Sequence, residues 1–105
     1  MANNFKNAKL DLSTNSVTTL YTAPSATTAV FKSLLVSNDQ SSGSTITVTI
    51  TDSASAVFSV YNVKSIGANT TEELLTEALV VMEGEILKVT AADADRLHVI
   101  GSFLE

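Results

Sequence analysis

The chain has 105 residues, a formal net charge of −5, no Cys, no Trp, one His and one Pro. That length suits a single domain spanning residues 1–105, and the lack of Cys excludes disulfide scaffolds, thiolate metal sites and thiol nucleophiles. Residues 1–71 hold four lysines against three aspartates, whereas residues 72–105 hold eight acids against Lys88 and Arg96. With one Arg and no basic run, nothing is equipped to neutralise phosphates, so no nucleic-acid partner is expected. No apolar stretch approaches the roughly 18 residues of a membrane span, and the opening Met-Ala-Asn-Asn-Phe-Lys lacks the apolar core of a secretory signal. A chain made in the cytosol, with no membrane partner, is the expectation.

Strand-like runs follow one another along the sequence. The first two cover residues 5–12 and 16–22, and Pro24-Ser25 ends the second. Residues 29–37 form the third. Residues 45–51 give the clearest signal: Thr45, Thr47, Thr49 and Thr51 alternate with Ile46, Val48 and Ile50, the period of two that marks a strand with one apolar and one hydroxylated face. Ser41-Ser42-Gly43-Ser44 before it and Asp52-Ser53-Ala54-Ser55 after it have turn composition, which predicts a meander of hairpins. A fifth run covers residues 56–63.

Residues 70–82 are ambiguous. Leu74, Leu75, Ala78, Leu79 and Met82 share a helical face, and Thr70 with Glu73 makes a capping box. Against a helix, Val80-Val81 is β-branched, and Glu83-Gly84-Glu85 reads as a tight turn into a strand over residues 86–90 that wants an antiparallel partner just before it. The reading adopted is two strands, at 71–76 and 79–82, with the helix as alternative. Runs at 85–91 and 96–104 close the chain, separated by Ala92 to Asp95. Short strands at about ten-residue spacing without a βαβ rhythm predict an all-β fold: one antiparallel β-sandwich, Ig-like or jelly-roll, of about eight strands.

In a two-layer sandwich each strand should be apolar on one face only. Three runs carry large apolar residues on both. Residues 29–37 set Val30, Leu34 and Val36 against Ala29, Phe31 and Leu35; residues 57–63 set Val57, Tyr61 and Val63 against Phe58 and Val60; residues 97–104 set Leu97, Val99 and Phe103 against Ile100 and Leu104. The surplus marks Phe31, Leu35, Phe58, Val60, Phe103 and Leu104 as candidate interface residues of a homo-oligomer. The alternative is that β-bulges turn some of them inward.

Catalytic patterns are sparse. His98 is the only imidazole and sits mid-strand, where a structural or surface role is the default reading. No Ser lies in Gly-x-Ser-x-Gly, and the four glycines are too dispersed to cradle a phosphate. Asp93 with Asp95 lacks calcium-loop spacing, and Glu83 with Glu85 reads as a solvated turn. No catalytic residue, metal site or cofactor is therefore assigned. Asn69-Thr70-Thr71 matches a glycosylation acceptor, which has no meaning without a secretory signal. A carbohydrate-binding module would suit the size, with Tyr21, Tyr61 or the Asp93–Asp95 loop meeting a glycan.

The segments Leu20-Tyr21-Thr22-Ala23-Pro24, Val30 to Asn38, Leu79 to Val89 and Leu97 to Glu105 resemble small virion-associated proteins of tailed bacteriophages, including phages of marine bacteria. The resemblance covers residues 10 to 105 in strand and turn patterns and carries no catalytic or ligand residue. It implies a sandwich, strands in place of the helix at 70–82, and a virion structural protein of head decoration, neck or tail, made in the host cytoplasm and packed against copies of itself and other virion proteins.

Overall fold

The computed structural model describes residues 4–105. Alternating β-branched and apolar residues produce nine strands: β1 (Phe5–Leu12), β2 (Thr18–Thr22), β3 (Ala29–Asn38), β4 (Ser44–Thr51), β5 (Val57–Ile66), β6 (Thr70–Glu73), β7 (Leu79–Val81), β8 (Ile86–Ala91) and β9 (Leu97–Leu104). All pair antiparallel, in two sheets ordered β1-β9-β3-β6, with β7 also on β3, and β2-β8-β4-β5. We call these sheets A and B. β6 pairs with residues 35–38 of β3 and β7 with residues 29–31, so the two lie end to end along one edge of it. Counted as one interrupted strand, they complete two four-stranded sheets whose chain passes from sheet to sheet at most connections. That is the order of a jelly roll rather than of an Ig domain.

Two expected hairpins are corrected by this topology. The turn at residues 41–43 joins β3 in sheet A to β4 in sheet B, and the turn at residues 82–85 joins β7 in sheet A to β8 in sheet B. The second turn is tight, with Gly84 at φ 79° and a Glu85 N–H to Met82 carbonyl bond of 2.9 Å. It is also fastened to the end of β2, because Gly84 donates to the Ala23 carbonyl at 3.1 Å and Ala23 to the Glu85 carbonyl at 3.0 Å. Only β4 and β5 form the expected hairpin, with Asp52 accepting from the Ala54 and Ala56 amides at 2.9 Å inside its loop.

Residues 70–82 hold two short strands, β6 and β7, and no helix, and the capping-box residues serve elsewhere. Thr70 donates to the Gly67 carbonyl at 2.7 Å. Between β6 and β7 the ladder on β3 is broken, and the Glu73 carboxylate fills the gap: it accepts from the Leu34 N–H at 2.7 Å, from the Leu75 N–H at 3.1 Å and from the Ser33 hydroxyl. The first strand therefore stops at Glu73 rather than continuing to residue 76.

The core between the sheets holds Leu12, Phe31, Leu34, Val36, Ile46, Val48, Leu87, Val89, Leu97, Val99 and Phe103, among others. Two candidate interface residues belong to it, correcting their assignment: Phe31 is 0% and Phe103 4% exposed. For Phe31 the cause is a bulge. Phe31 pairs with Phe103 and Ser33 with Ser102, which leaves Lys32 as an extra residue and inverts the parity of β3. Ala29 and Phe31 on one side of the bulge, and Leu34 and Val36 on the other, all face inward. The Phe31 and Phe103 rings stack at 4.7 Å, and Tyr21 packs edge-on against Phe31 at 5.4 Å.

The stack requires Gly101. A Cβ there would lie 2.7 Å from a ring carbon of Phe31, so the strand is bare where the ring meets its backbone. Gly101→Ala should overpack this point and cost about 1–3 kcal/mol, read from the urea midpoint. Glu73→Ala should cost a similar ~1–3 kcal/mol at neutral pH, since it strands the N–H of fully buried Leu34. Burial pushes the Glu73 carboxyl up, but the three hydrogen bonds outweigh it and hold it below the ordinary 4.5. Its contribution is therefore complete above that value and disappears as pH falls through the lowered one, so the stability gap between the parent and Glu73→Ala should narrow only in that acid window.

Candidate functional site

Residues directly opposite across an antiparallel ladder lie on the same face, so the registers define rows across the outside of sheet A. One row reads Phe5, Leu104, Val30 and Val80, crossing β1, β9, β3 and β7, and is apolar throughout. A second reads Lys9, Ile100, Leu35 and Glu73, with an apolar pair flanked by opposite charges. Between them lie Asn7, Ser102 and Ser33. Phe5 is 82%, Val80 48% and Ile100 38% exposed. Candidate residues Leu35 and Leu104 thus lie on this outer face, both half-buried.

A polar row closes the far end: Asp11, His98, Ser37 and Thr71. His98 Nε2 is 3.4 Å from Asp11 and its Nδ1 3.9 Å from Asp39. The imidazole sits near two carboxylates, and Ser37 lies opposite it on the ladder with its hydroxyl accepting from Thr71 at 3.3 Å. Among the described residues no cluster of three or more His, Asp or Glu side chains is placed to hold a metal ion.

The outside of sheet B is chemically different. Thr47 faces Thr90, Thr49 faces Lys88 and Ser59, Thr45 faces Ser65, and Lys88 faces Thr19. The hydroxylated face of residues 45–51 therefore continues over the neighbouring strands. Its edge, β5, carries the other two candidates, exposed Phe58 and half-buried Val60. Two irregularities occur there, with Asn62 and Val63 opposite Thr47 and with Val60 extra between Ser59 and Tyr61. Val63 has φ 54°, and its N–H turns to the Thr47 hydroxyl at 3.1 Å. Bulges of this kind bend an edge strand away from regular pairing.

The proposed glycan contacts are engaged internally. Tyr21 lies in β2, its ring against Phe31 and Phe103 and its hydroxyl donated to Glu105. Burial, this bond and the Glu105 charge raise the Tyr21 pKa above 10.0, and bonds from Lys6 and Tyr21 lower that of Glu105. Tyr61 donates to the Leu74 carbonyl. Asp93 lines an open cleft of about 350 Å³ with Ser44 and Gly67, but its carboxylate accepts from Ser44 at 3.0 Å and pairs with Arg96 at 3.3 Å. Asp95 is a turn residue at φ 60° whose N–H donates to the Leu12 carbonyl at 2.9 Å.

Among the described residues no helix is long and apolar enough to cross a membrane. The chain matches no family model and no curated protein. Exposed large apolar side chains gather in two places among the described residues: Phe5, Val80 and Ile100 on sheet A, and Val57, Phe58 and Val63 along β5 of sheet B.

Val63 offers a direct check on the β5 geometry. A β-branched residue in the left-handed region costs about 1–2 kcal/mol, while this side chain is 61% exposed and gives up little burial when replaced. Val63→Asn should raise stability by about 1 kcal/mol, seen as a higher urea midpoint with an unchanged slope.

Proposed function

We propose that the chain is a non-enzymatic structural subunit of a tailed-bacteriophage virion, acting through subunit packing. The observation that carries the packing role is the Phe5–Leu104–Val30–Val80 row across the outer face of sheet A, in which Phe5 and Val80 are exposed. An apolar band crossing four strands of a sheet is the kind of surface that interfaces cover. The resemblance of its strand and turn segments to virion-associated proteins supports the phage setting. A glycan-binding role has less support, because both tyrosines are committed to internal contacts.

Sedimentation over a wide concentration range, together with mass spectrometry of purified phage particles, tests the proposal. The expected results are a concentration-dependent oligomer and recovery of the chain with the particles. Ile100→Lys, at an exposed position on sheet A, should leave the thermal midpoint nearly unchanged and weaken association tenfold or more, about 1.4 kcal/mol. Thr90→Lys on sheet B should leave association intact. A single monomeric mass at all concentrations, with no chain in the particles, would overturn the proposal.

A further inference from the structure

The rows of sheet A run to two free edges, β1 and the β6–β7 line, and those edges match each other. β1 is parallel to β3, since both are antiparallel to β9, and β6 and β7 are antiparallel to β3. A second copy placed beside the first in the same orientation therefore offers β1 an antiparallel neighbour.

The backbone phase also agrees. Asn4 and Glu105 exchange both hydrogen bonds at 3.0 Å, and alternation from that pair leaves the N–H and C=O groups of Phe5 and Lys9 pointing to the free edge. On the other side Leu74 donates to the Leu34 carbonyl at 2.9 Å, which sets the same alternation and leaves Glu73 facing outward. Following the register across β9 and β3 does the same for Val80.

Charge selects the pairing. Among the described residues Lys6 is paired with Glu105 at 2.6 Å and Asp11 with His98 at 3.4 Å, leaving Lys9 without an ionic partner. The opposite edge carries Glu72, Glu73 and exposed Glu77, of which only Glu72 has an ionic partner, Lys64 at 3.6 Å. A two-fold contact of β1 with β1 offers Lys9 no unpaired carboxylate, since Asp11 is paired with His98, and one of the β6–β7 edge with itself brings carboxylates together. The head-to-tail contact joins opposite signs.

We infer that the surface binds a second copy of this chain head to tail, β1 of one copy lying along the β6–β7 edge of the next, with Phe5 beside Val80 and Lys9 beside Glu73 of that copy. The inference rests on the packing role proposed above and specifies its partner and geometry. Such a contact is heterologous, so it repeats from copy to copy and closes a ring where the rotation permits.

The absence of Cys from the sequence makes the test direct. Phe5→Cys and Val80→Cys change exposed side chains, and directly paired residues sit at about the 5.5 Å Cα separation that a disulfide accepts. Under mild oxidation of the full chain, each single variant should stay uncross-linked, their equimolar mixture should give a covalent dimer, and the double variant should give a ladder. In parallel, Lys9→Glu should reduce the oligomer seen in sedimentation. A cross-linked dimer from either single variant, or stronger association of Lys9→Glu, would overturn the head-to-tail contact in favour of a two-fold one. An unsubstituted chain that oligomerises while the mixture forms no disulfide overturns the contact but leaves the packing role standing, whereas a strictly monomeric chain overturns both.

Discussion

Two ring carbons of Phe31 occupy the space beside Gly101 that a Cβ would need, and the arrangement of the sandwich follows from that contact. β3 and β9 are the two interior strands of sheet A, and the ring joins them on the core side while the bulge at Lys32 resets which residues of β3 point inward. Without the bulge, Phe31 and Leu34 would occupy opposite faces, since strand side chains alternate. With it, the inner side carries Ala29, Phe31, Leu34 and Val36, and the outer side keeps Val30 and Leu35. One extra residue thus fills the core and fixes the apolar rows outside it.

The acid excess of the last third has a structural use. Glu73 accepts from the amides of Leu34 and Leu75, Glu83 from Ala26, and Glu85 from Met82 at 2.8 Å. Each carboxylate serves an N–H where strand pairing fails, at the β6–β7 interruption or at the crossing between sheets. The Leu34 N–H, the part-buried one among these donors, needs a partner, and an ionised acceptor makes a stronger bond than a neutral one. The β6–β7 edge is acidic partly because a broken edge strand needs acceptors.

The strands were legible because alternation and turn composition are local: the runs at 5–12, 29–37, 45–51 and 96–104 lie within a residue of β1, β3, β4 and β9. Pairing was not, since it joins residues far apart in sequence; nothing near Val80 announces Val30. The interface candidates divide by the same logic. Leu35 and Leu104 lie on the outer face because their strands are apolar on both sides, whereas Phe31 was hidden by a bulge that leaves no mark in composition. Phe103 shares its face with Leu97 and Val99, the inward set of a strictly alternating strand, so its burial was available from the sequence. On β5 neither face of residues 57–63 is buried, because two irregularities twist an edge strand that has a neighbour on one side only.

The apolar row is held in place at one end. Tyr21 reaches from sheet B to Glu105, which also pairs with Lys6 on β1, so a single carboxylate ties the two sheets together beside Phe5 and Leu104. The raised Tyr21 pKa and the lowered Glu105 pKa describe one arrangement, a neutral phenol donating to a charged acceptor that a lysine also stabilises. The ring beneath is packed on Phe31 and Phe103, so the tie rests on the core. A surface fixed before contact loses less conformational freedom on binding. The same aromatic packing that closes the sandwich therefore also prepares the end of sheet A where Phe5, the most exposed large apolar residue among those described, is displayed.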